Sequence, residues 1–388
     1  MLYINRKENV GAKAVALDDM ILTADLPTTA GSKMLENFTS LFEAEVVTKL
    51  KAAGCDIAGK TNVGEFGIDF IGETSYFGAV TEDGKLTSAP AALIKAGEVG
   101  AVVCLDANGA PRRAAALADL VFVKPTYGTV SRHGVISAAC SGDTVGVMAK
   151  DATSAKDVLA AIMGHDDKDG TSLPAEKCAL ADGKIAKVAV VKSLTEKADA
   201  DAQAKIADVK AKLAASGVEV TEIDADVLLA AKTAWAICMS AELCNNVSRY
   251  DGVKYGYRSA NYTNIDELYT NSRTEAFGEL AKYTILYGSE TLSTENYMPV
   301  YDKALRIRRV IVEALNAIFA DVDAILLPAC AKTAYTEADV ADVTAVFDEA
   351  AFTAVASLTG MPAVAAAGVQ FVGKAFSEGA LLDLVAAL

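Results

Sequence analysis

An apolar run that stops in a tight turn constrains the fold of this chain more than any other feature. Residues 100–105 read GAVVCL, and the five residues from Asp106 to Ala110 are small or turn-prone. An apolar run of this length, bounded by turn residues, is typical of a strand buried in a sheet. The pattern therefore predicts a buried strand whose closing turn feeds a helix.

Strand-like and helix-like segments alternate through much of the sequence. Strands are predicted at 14–17, 56–59, 100–105, 187–191, 218–221 and 324–328, and helices at 32–54, 91–97, 152–163 and 199–216. Residues 228–319 predict almost only helix, which the tyrosine-rich stretch 249–258 interrupts. Such an alternation favours an α/β layered fold around a mixed, mostly buried sheet.

Length and composition indicate one large unit. The chain has 388 residues, 52% of them hydrophobic, which is enough to build a sizeable core. Because no internal repeat and no Pro- or Ser-rich linker divides it, we expect a single domain over 1–388. The most polar stretch, 184–226, is predicted to form a peripheral lobe.

Charge and hydropathy exclude several classes of function. The formal net charge is −15, whereas proteins that grip nucleic acid directly usually present a basic face to the phosphates. The N-terminal MLYINRKENVG lacks the apolar segment of a signal peptide, and no run of 18 apolar residues predicts a membrane helix. We therefore expect no direct binding of nucleic acid and no membrane association.

The seven cysteines are scattered, odd in number and without CxxC spacing. This pattern argues against a disulfide framework and against a zinc site, and it favours buried thiols in a reducing, cytoplasmic setting. We expect neither a metal nor a cofactor.

Several sequence blocks resemble the amidase signature family, above all the A subunits of tRNA-dependent glutamine amidotransferases. Residues 124–134 read KPTYGTVSRHG, which is similar to the family's KPTYGRVSRYG, and further matching blocks lie at 26–38, 59–62, 164–166, 249–258, 272–278 and 360–363. The resemblance covers nearly the whole chain. It implies the amidase signature α/β/α sandwich, in which helices cover one mixed central sheet.

The same resemblance implies a Ser–cis-Ser–Lys catalytic triad, and all three positions are changed here. The nucleophilic Ser of the family's DTGGS loop falls on Ala110, the bridging Ser falls on Leu86, and the Lys of the IAIKDNI motif falls on Asp18. A methyl group cannot attack a carbonyl, and this chemistry needs a hydroxyl, a relay and a base. Leu86 further predicts that the pocket around these positions is at least partly filled.

Three residues are candidates for holding a substrate. Tyr257 and Arg308 fall near family positions that bind glutamine, and an Arg can pair with a carboxylate through two hydrogen bonds. Asn108 takes a glycine place in the loop whose N–H groups form the family's oxyanion hole, and left-handed backbone angles at Asn108 would keep the loop's shape. The family's amine-binding Asp falls on Ala350.

Three interpretations follow from these changes. The first is a catalytically silent amidase signature protein with a binding, partner or regulatory role; B- and C-like subunits or a second copy of the chain are the possible partners. The second is an active amidotransferase A subunit or amidase that uses residues not identified here. The third is a re-used scaffold in which Asp18 or Cys140 is catalytic, although Cys140 is expected to be buried, and His133 and His165 are expected to be structural.

Overall fold

The computed structural model describes residues 1–8, 10–11, 14–181 and 183–388. The strands are β1 (Tyr3–Arg6), β2 (Val15–Asp18), β3 (Ile57–Thr61), β4 (Val80–Glu82), β5 (Lys85–Thr87), β6 (Ala101–Asp106), β7 (Val121–Lys124), β8 (Thr144–Ala149), β9 (Lys187–Val191), β10 (Glu219–Ile223), β11 (Ala324–Pro328), β12 (Ala363–Ala366) and β13 (Val369–Gly373). The helices are α1 (Glu45–Ala52), α2 (Ala89–Lys95), α3 (Ala110–Ala118), α4 (Ala152–Ile162), α5 (Lys192–Thr195), α6 (Ala200–Ala215), α7 (Ala230–Val247), α8 (Ile265–Ala276), α9 (Glu279–Thr291), α10 (Lys303–Asp321), α11 (Ala345–Thr359) and α12 (Glu378–Ala386).

Eleven of these strands form one mixed sheet in the order β1-β3-β2-β6-β8-β7-β12-β13-β11-β9-β10, and β4 and β5 form a separate hairpin. Strand β2 runs parallel to β3 and β6, and β9 runs parallel to β10 and β11. The antiparallel strands β12 and β13 connect these two parts, because β12 pairs with β7 and β13 pairs with β11. The predicted mixed, buried sheet is confirmed.

Helices cover the sheet because its central strands expose almost no polar side chain. Every residue of β2, β6, β7, β8, β11, β12 and β13 is buried. Helix α3 packs on β6, β7 and β12, α4 packs on β7 and β8, and α6 packs on β10, β11 and β13. Strands buried on both faces read as continuous apolar runs, which is the pattern that residues 100–105 display. The polar stretch 184–226 contributes β9 and β10 to one edge of the same sheet.

The helix predicted over 32–54 is wrong in its first half. A short 3₁₀ turn spans Lys33–Leu35, the chain then runs in turns and extended segments, and only Glu45–Ala52 is α-helical. The reason lies in Leu41, which the helical pattern assigns to an apolar face but which is 99% exposed. The Ser32 hydroxyl accepts a hydrogen bond from the Met34 N–H (3.2 Å), so this serine caps the 3₁₀ turn.

Among the described residues, one helical stretch, Asp226–Val247, is long and apolar enough by length and composition to cross a membrane. Of its most apolar window, 61% is buried inside the protein, where α7 packs against α9, α10 and α11. Helices that are apolar on all sides also occur in the cores of large proteins.

Candidate active site

Ala110 begins α3 at the end of the turn that follows β6. The Gly109 N–H donates to the Asp106 carboxylate (2.9 Å), which closes the turn. Gly109 has φ +87°, and a Cβ built there would lie 2.4 Å from the Thr353 Cβ. Only glycine fits both conditions. The sequence therefore folds into the strand, tight turn and helix that the apolar run predicts, with the Ala110 methyl at the first helical position.

Asp18 lies at the end of β2, beside β6, and is fully buried. Its Oδ1 accepts from the Met20 N–H (3.0 Å), and its Oδ2 accepts from the Leu105 N–H (2.5 Å). Burial raises the pKa of this carboxyl to about 7, and the two N–H donors limit that rise. Both oxygens are thus already occupied by the backbone.

Asp19 faces a different environment from its neighbour. Its carboxylate lies 3.2 Å from the Lys60 Nζ and accepts from the Thr29 N–H (2.8 Å). Adjacent strand residues point to opposite faces, so Asp18 and Asp19 have separate partners and do not form one carboxylate pair.

Asp18 and Ala110 line one small cavity, together with Asp69, Ser88 and Cys104. Its volume is about 30 Å³, which is the space of roughly one water molecule. The cavity is small, but the expectation that Leu86 at least partly fills it has a different outcome.

Leu86 does not line this cavity, which corrects the expectation that it fills the pocket. It lies in β5, where its side chain is buried and its N–H donates to the Tyr335 carbonyl (2.8 Å). Ser88, two residues further on, borders the cavity instead. The Ser88 Oγ accepts from the Ala91 N–H (3.2 Å) and caps α2. The hairpin of β4 and β5 places Leu86 outside the cavity, with its backbone bonded to Tyr335, and an ungapped count along the sequence could not anticipate this.

Asp69 brings a second buried carboxyl to the cavity, and no sequence motif indicates it. Its Oδ2 accepts from the Thr74 N–H (3.0 Å) and hydroxyl (2.9 Å), whereas Oδ1 has no hydrogen-bond partner among the described residues. Burial raises the pKa of Asp69 to about 8, and the neighbouring Glu73 adds to the rise. Two carboxyls with raised pKa values now flank the Ala110 methyl.

No lysine lines the cavity within the described part of the chain. The Lys60 amine pairs with Asp19, and the buried Lys124 amine donates to the Met361 carbonyl (3.0 Å). Burial lowers the pKa of Lys124 to about 7. This amine is not at the cavity, because it bonds backbone carbonyls elsewhere. Both lysines therefore have partners within the protein.

Asn108 is buried, and its side chain is fully engaged. Its Nδ2 donates to the Ile68 carbonyl (3.0 Å), and its Oδ1 accepts from the Trp235 Nε1 (3.0 Å). The left-handed residue of the turn is Gly109, and Asn108 does not have positive φ, which corrects the expected role of Asn108 in the loop. This amide holds the turn against the Trp235 ring of α7.

The structure does not bring the three substrate-binding candidates together. Tyr257 lines a separate open cleft of about 1130 Å³, and its hydroxyl donates to Glu275 (2.8 Å). The Arg308 Nη2 donates to the Ser141 carbonyl (2.9 Å) and lines neither cavity. Its neighbour Arg306 pairs with Asp302, the residue before α10, and Arg309 pairs with Glu313 within α10.

Cys140 is exposed, contrary to the expectation of a buried thiol. Its Sγ lies 3.0 Å from the Ser137 Oγ and 3.4 Å from the Asn246 Nδ2, and the Ser137 hydroxyl donates to the buried Asp143 carboxylate (2.9 Å). Cys140 and His133 line one cavity of about 300 Å³. The His133 ring stacks on the Phe42 ring, with 5.2 Å between the ring centres. His165 accepts or donates only locally, to the Leu173 carbonyl (2.9 Å) and to Asp167 (3.0 Å).

Comparison with known proteins places this geometry in a family. The family model described as Amidase matches residues 14–382. The chain is 36% identical over 396 residues to the A subunit of glutamyl-tRNA(Gln) amidotransferase of Acinetobacter baumannii, covering 96% of this chain and 80% of that protein. This chain belongs to the amidase family. The corresponding A subunit of Coxiella burnetii is also 36% identical to this amidase-family chain, over 393 residues that cover 95% of this chain and 81% of that protein.

Solved structures agree with that assignment to the amidase family. The crystal structure of the A subunit of glutamyl-tRNA(Gln) amidotransferase from Thermotoga maritima superposes with a TM-score of 0.82 at 28% identity, covering 99% of this chain and 86% of the other. The allophanate hydrolase of Kluyveromyces lactis gives a TM-score of 0.77 at 22% identity, covering 96% of this chain and 61% of the other, which shows the shared fold alone.

Proposed function

We propose that this amidase-family protein does not hydrolyse amides, because the position of the family's nucleophile holds an alanine. The observation that carries the proposal is Ala110, which begins α3 on the wall of the cavity and offers only a methyl group there. In the resemblance described above, this position holds the nucleophilic hydroxyl. Loss of a catalytic nucleophile lowers turnover by on the order of a million-fold in a well-studied serine hydrolase.

The surroundings of Ala110 support the proposal. Asp18 has its two oxygens saturated by backbone N–H groups, and the cavity holds about one water molecule. Ser88 is the single hydroxyl residue among the described residues that line this cavity, and it caps α2. The buried carboxyls Asp18 and Asp69 therefore have no free hydroxyl beside them to activate among the described residues, and the cavity leaves little space for a carboxamide.

The proposed role is binding, partnering or regulation in the cytoplasm. The curated relatives are each named as the A subunit of an amidotransferase, which supports B- and C-like subunits as partners of this chain. A second copy of the chain is the other candidate partner. A pull-down with tagged chain would test the first pairing, and the molar mass in solution would test the second.

The decisive experiment is a glutaminase and simple amidase assay on the purified chain. We expect no ammonia release above the blank, and none from Ala110→Ser alone, because Asp18 and Leu86 remain in place. Turnover that survives Cys140→Ala would overturn the proposal and favour an active amidase using other residues. Turnover that disappears in Cys140→Ala would also overturn it and assign the chemistry to that thiol.

A further inference from the structure

The open cleft that contains Tyr257 differs in charge from the rest of the chain. Its charged lining residues are Arg249, Lys254, Arg258 and Glu36, so three cations face one carboxylate. The whole chain carries 36 basic and 51 acidic residues. This cleft shares no lining residue with the cavity at Ala110, so an inference about it does not depend on the proposed function.

The three cations have no carboxylate partner within the described ranges. The Arg249 Nε donates to the Asn246 carbonyl (2.9 Å), which fixes the side chain and leaves its two terminal nitrogens for a ligand. The Arg258 Nη2 donates to the Tyr262 hydroxyl (2.9 Å). Many other exposed cations of this acidic chain, such as Lys51 and Lys95, do form ion pairs. The cleft thus collects positive charge that the protein does not neutralise itself.

Aromatic side chains line the same cleft as these cations. Tyr250, Tyr255 and Tyr257 line the cleft, and the Tyr255 side chain is among the most exposed tyrosines, with the residue 62% exposed. The Lys33 Nζ lies 4.3 Å from the centre of the Tyr257 ring. Tyrosine faces stack on planar rings, and cations beside them bind phosphate. The amides of Asn37 and Asn245 add hydrogen-bonding groups to the wall.

The loop that carries these groups, residues 250–258, is held in one conformation. The Asp251 carboxylate accepts from the Val253 and Lys254 N–H groups (2.8 and 2.9 Å), and the Tyr257 N–H donates to the Met34 carbonyl (2.8 Å). Gly256 has φ +85°, and a Cβ there would lie 2.5 Å from the Met34 Sδ. A loop fixed in this way loses little conformational freedom when a ligand binds.

We propose that this cleft is a binding site for a nucleotide, with the phosphate on Arg249, Lys254 and Arg258 and the base against the tyrosine rings. The volume of about 1130 Å³ is far more than an inorganic anion needs and lies slightly above the range of about 300–1,000 Å³ that is usual for small-ligand pockets. The tyrosine rings favour a ligand with a planar ring over an acidic peptide, because carboxylates alone need no stacking surface.

The test is equilibrium dialysis of the full chain with AMP, adenosine and inorganic phosphate. AMP is expected to bind saturably, and adenosine and phosphate at least about tenfold more weakly, because each lacks one of the two contacts. Lys254→Gln/Arg258→Gln should weaken AMP binding by about tenfold or more. Lys303→Gln, which removes an exposed cation outside the cleft, should leave it unchanged. Tyr255→Leu should weaken AMP binding but not phosphate binding.

Protection of Cys140 provides a second readout in the same protein. Ser137 and Asn246 line the cleft and contact the Cys140 Sγ, so AMP should slow alkylation of this thiol. Thermal unfolding establishes that each variant is folded. The proposal is overturned if folded wild-type chain binds no AMP, if the double variant binds it equally well, or if phosphate or a poly-glutamate peptide binds as tightly as AMP.

Discussion

The buried carboxyl of Asp18 should make the stability of this protein depend on pH. Burial raises the pKa of Asp18 to about 7, so the folded state holds a proton that the unfolded state releases above its ordinary pKa. The free energy of unfolding should therefore fall as pH rises from about 4 to about 7, by at most about 1.4 kcal/mol per pH unit for this group. Asp18→Asn should flatten this slope, as measured by urea unfolding at several pH values. Asp157→Asn, an exposed carboxyl, is the control; parallel curves for wild type and Asp18→Asn would contradict the prediction.

A second prediction at the residue scale concerns thiol reactivity. Cys140 is exposed, whereas Cys104, Cys238 and Cys330 are buried. Because alkylation requires access to the sulfur, N-ethylmaleimide should modify Cys140 first, as read by peptide mass spectrometry over time. Cys140→Ser should remove the fast phase and leave the slow ones. Equal rates at Cys330 and Cys140 would show that the segment around Cys140 is not exposed as described.

At the scale of elements, the turn between β6 and α3 depends on close packing against α11. Gly109→Ala adds a left-handed alanine and a Cβ only 2.4 Å from Thr353, so it should lower the free energy of unfolding by about 2–5 kcal/mol. Gly97→Ala is the matched control, because Gly97 has φ +70° and no atom within 4 Å of its added Cβ. Gly97→Ala should lower the free energy of unfolding by only about 1–2 kcal/mol, which is the cost of a left-handed alanine. If urea unfolding gives both variants the same loss of unfolding free energy, packing against Thr353 contributes nothing and the prediction is contradicted.

The elements also show what the sequence can predict. Strand β6 follows from residues 100–105 because a continuous apolar run between turns has few other solutions. Strand β12 does not follow in this way, because the alanine-rich segment Ala363–Ala366 is equally typical of a helix. Pairing of β12 with β7 and with β13 makes this segment a strand. The position of Leu86 escapes prediction for a similar reason. Its orientation is set by the hairpin and by Tyr335, which are contacts that a sequence motif does not encode.

At the scale of the whole molecule, one buried arginine joins elements that are distant in sequence. The Arg112 guanidinium bonds the Asp106 carboxylate (2.7 Å), the Thr353 carbonyl (2.8 Å), the Ser357 hydroxyl (2.7 Å) and Gln370 (3.2 Å). Arg112→Met leaves the buried Asp106 carboxylate without its cationic partner, so it should lower the free energy of unfolding by about 3–5 kcal/mol. Arg112→Lys should rescue little, because an ammonium lacks the planar fork that reaches these groups. Near wild-type unfolding midpoints for either variant would contradict this expectation.

The order of strands in the sheet has a consequence for how the chain folds. Strands β1 to β3 and β6 to β8 occupy one part of the sheet and β9 to β11 another, and among the described strands β12 and β13 join the two parts. Until residues 363–373 are synthesised, β7 and β11 have open edges with unpaired N–H and C=O groups, and such edges invite pairing with other chains. A nascent or C-terminally shortened chain would therefore be prone to aggregation, and it would depend on chaperones until the last hairpin closes the sheet.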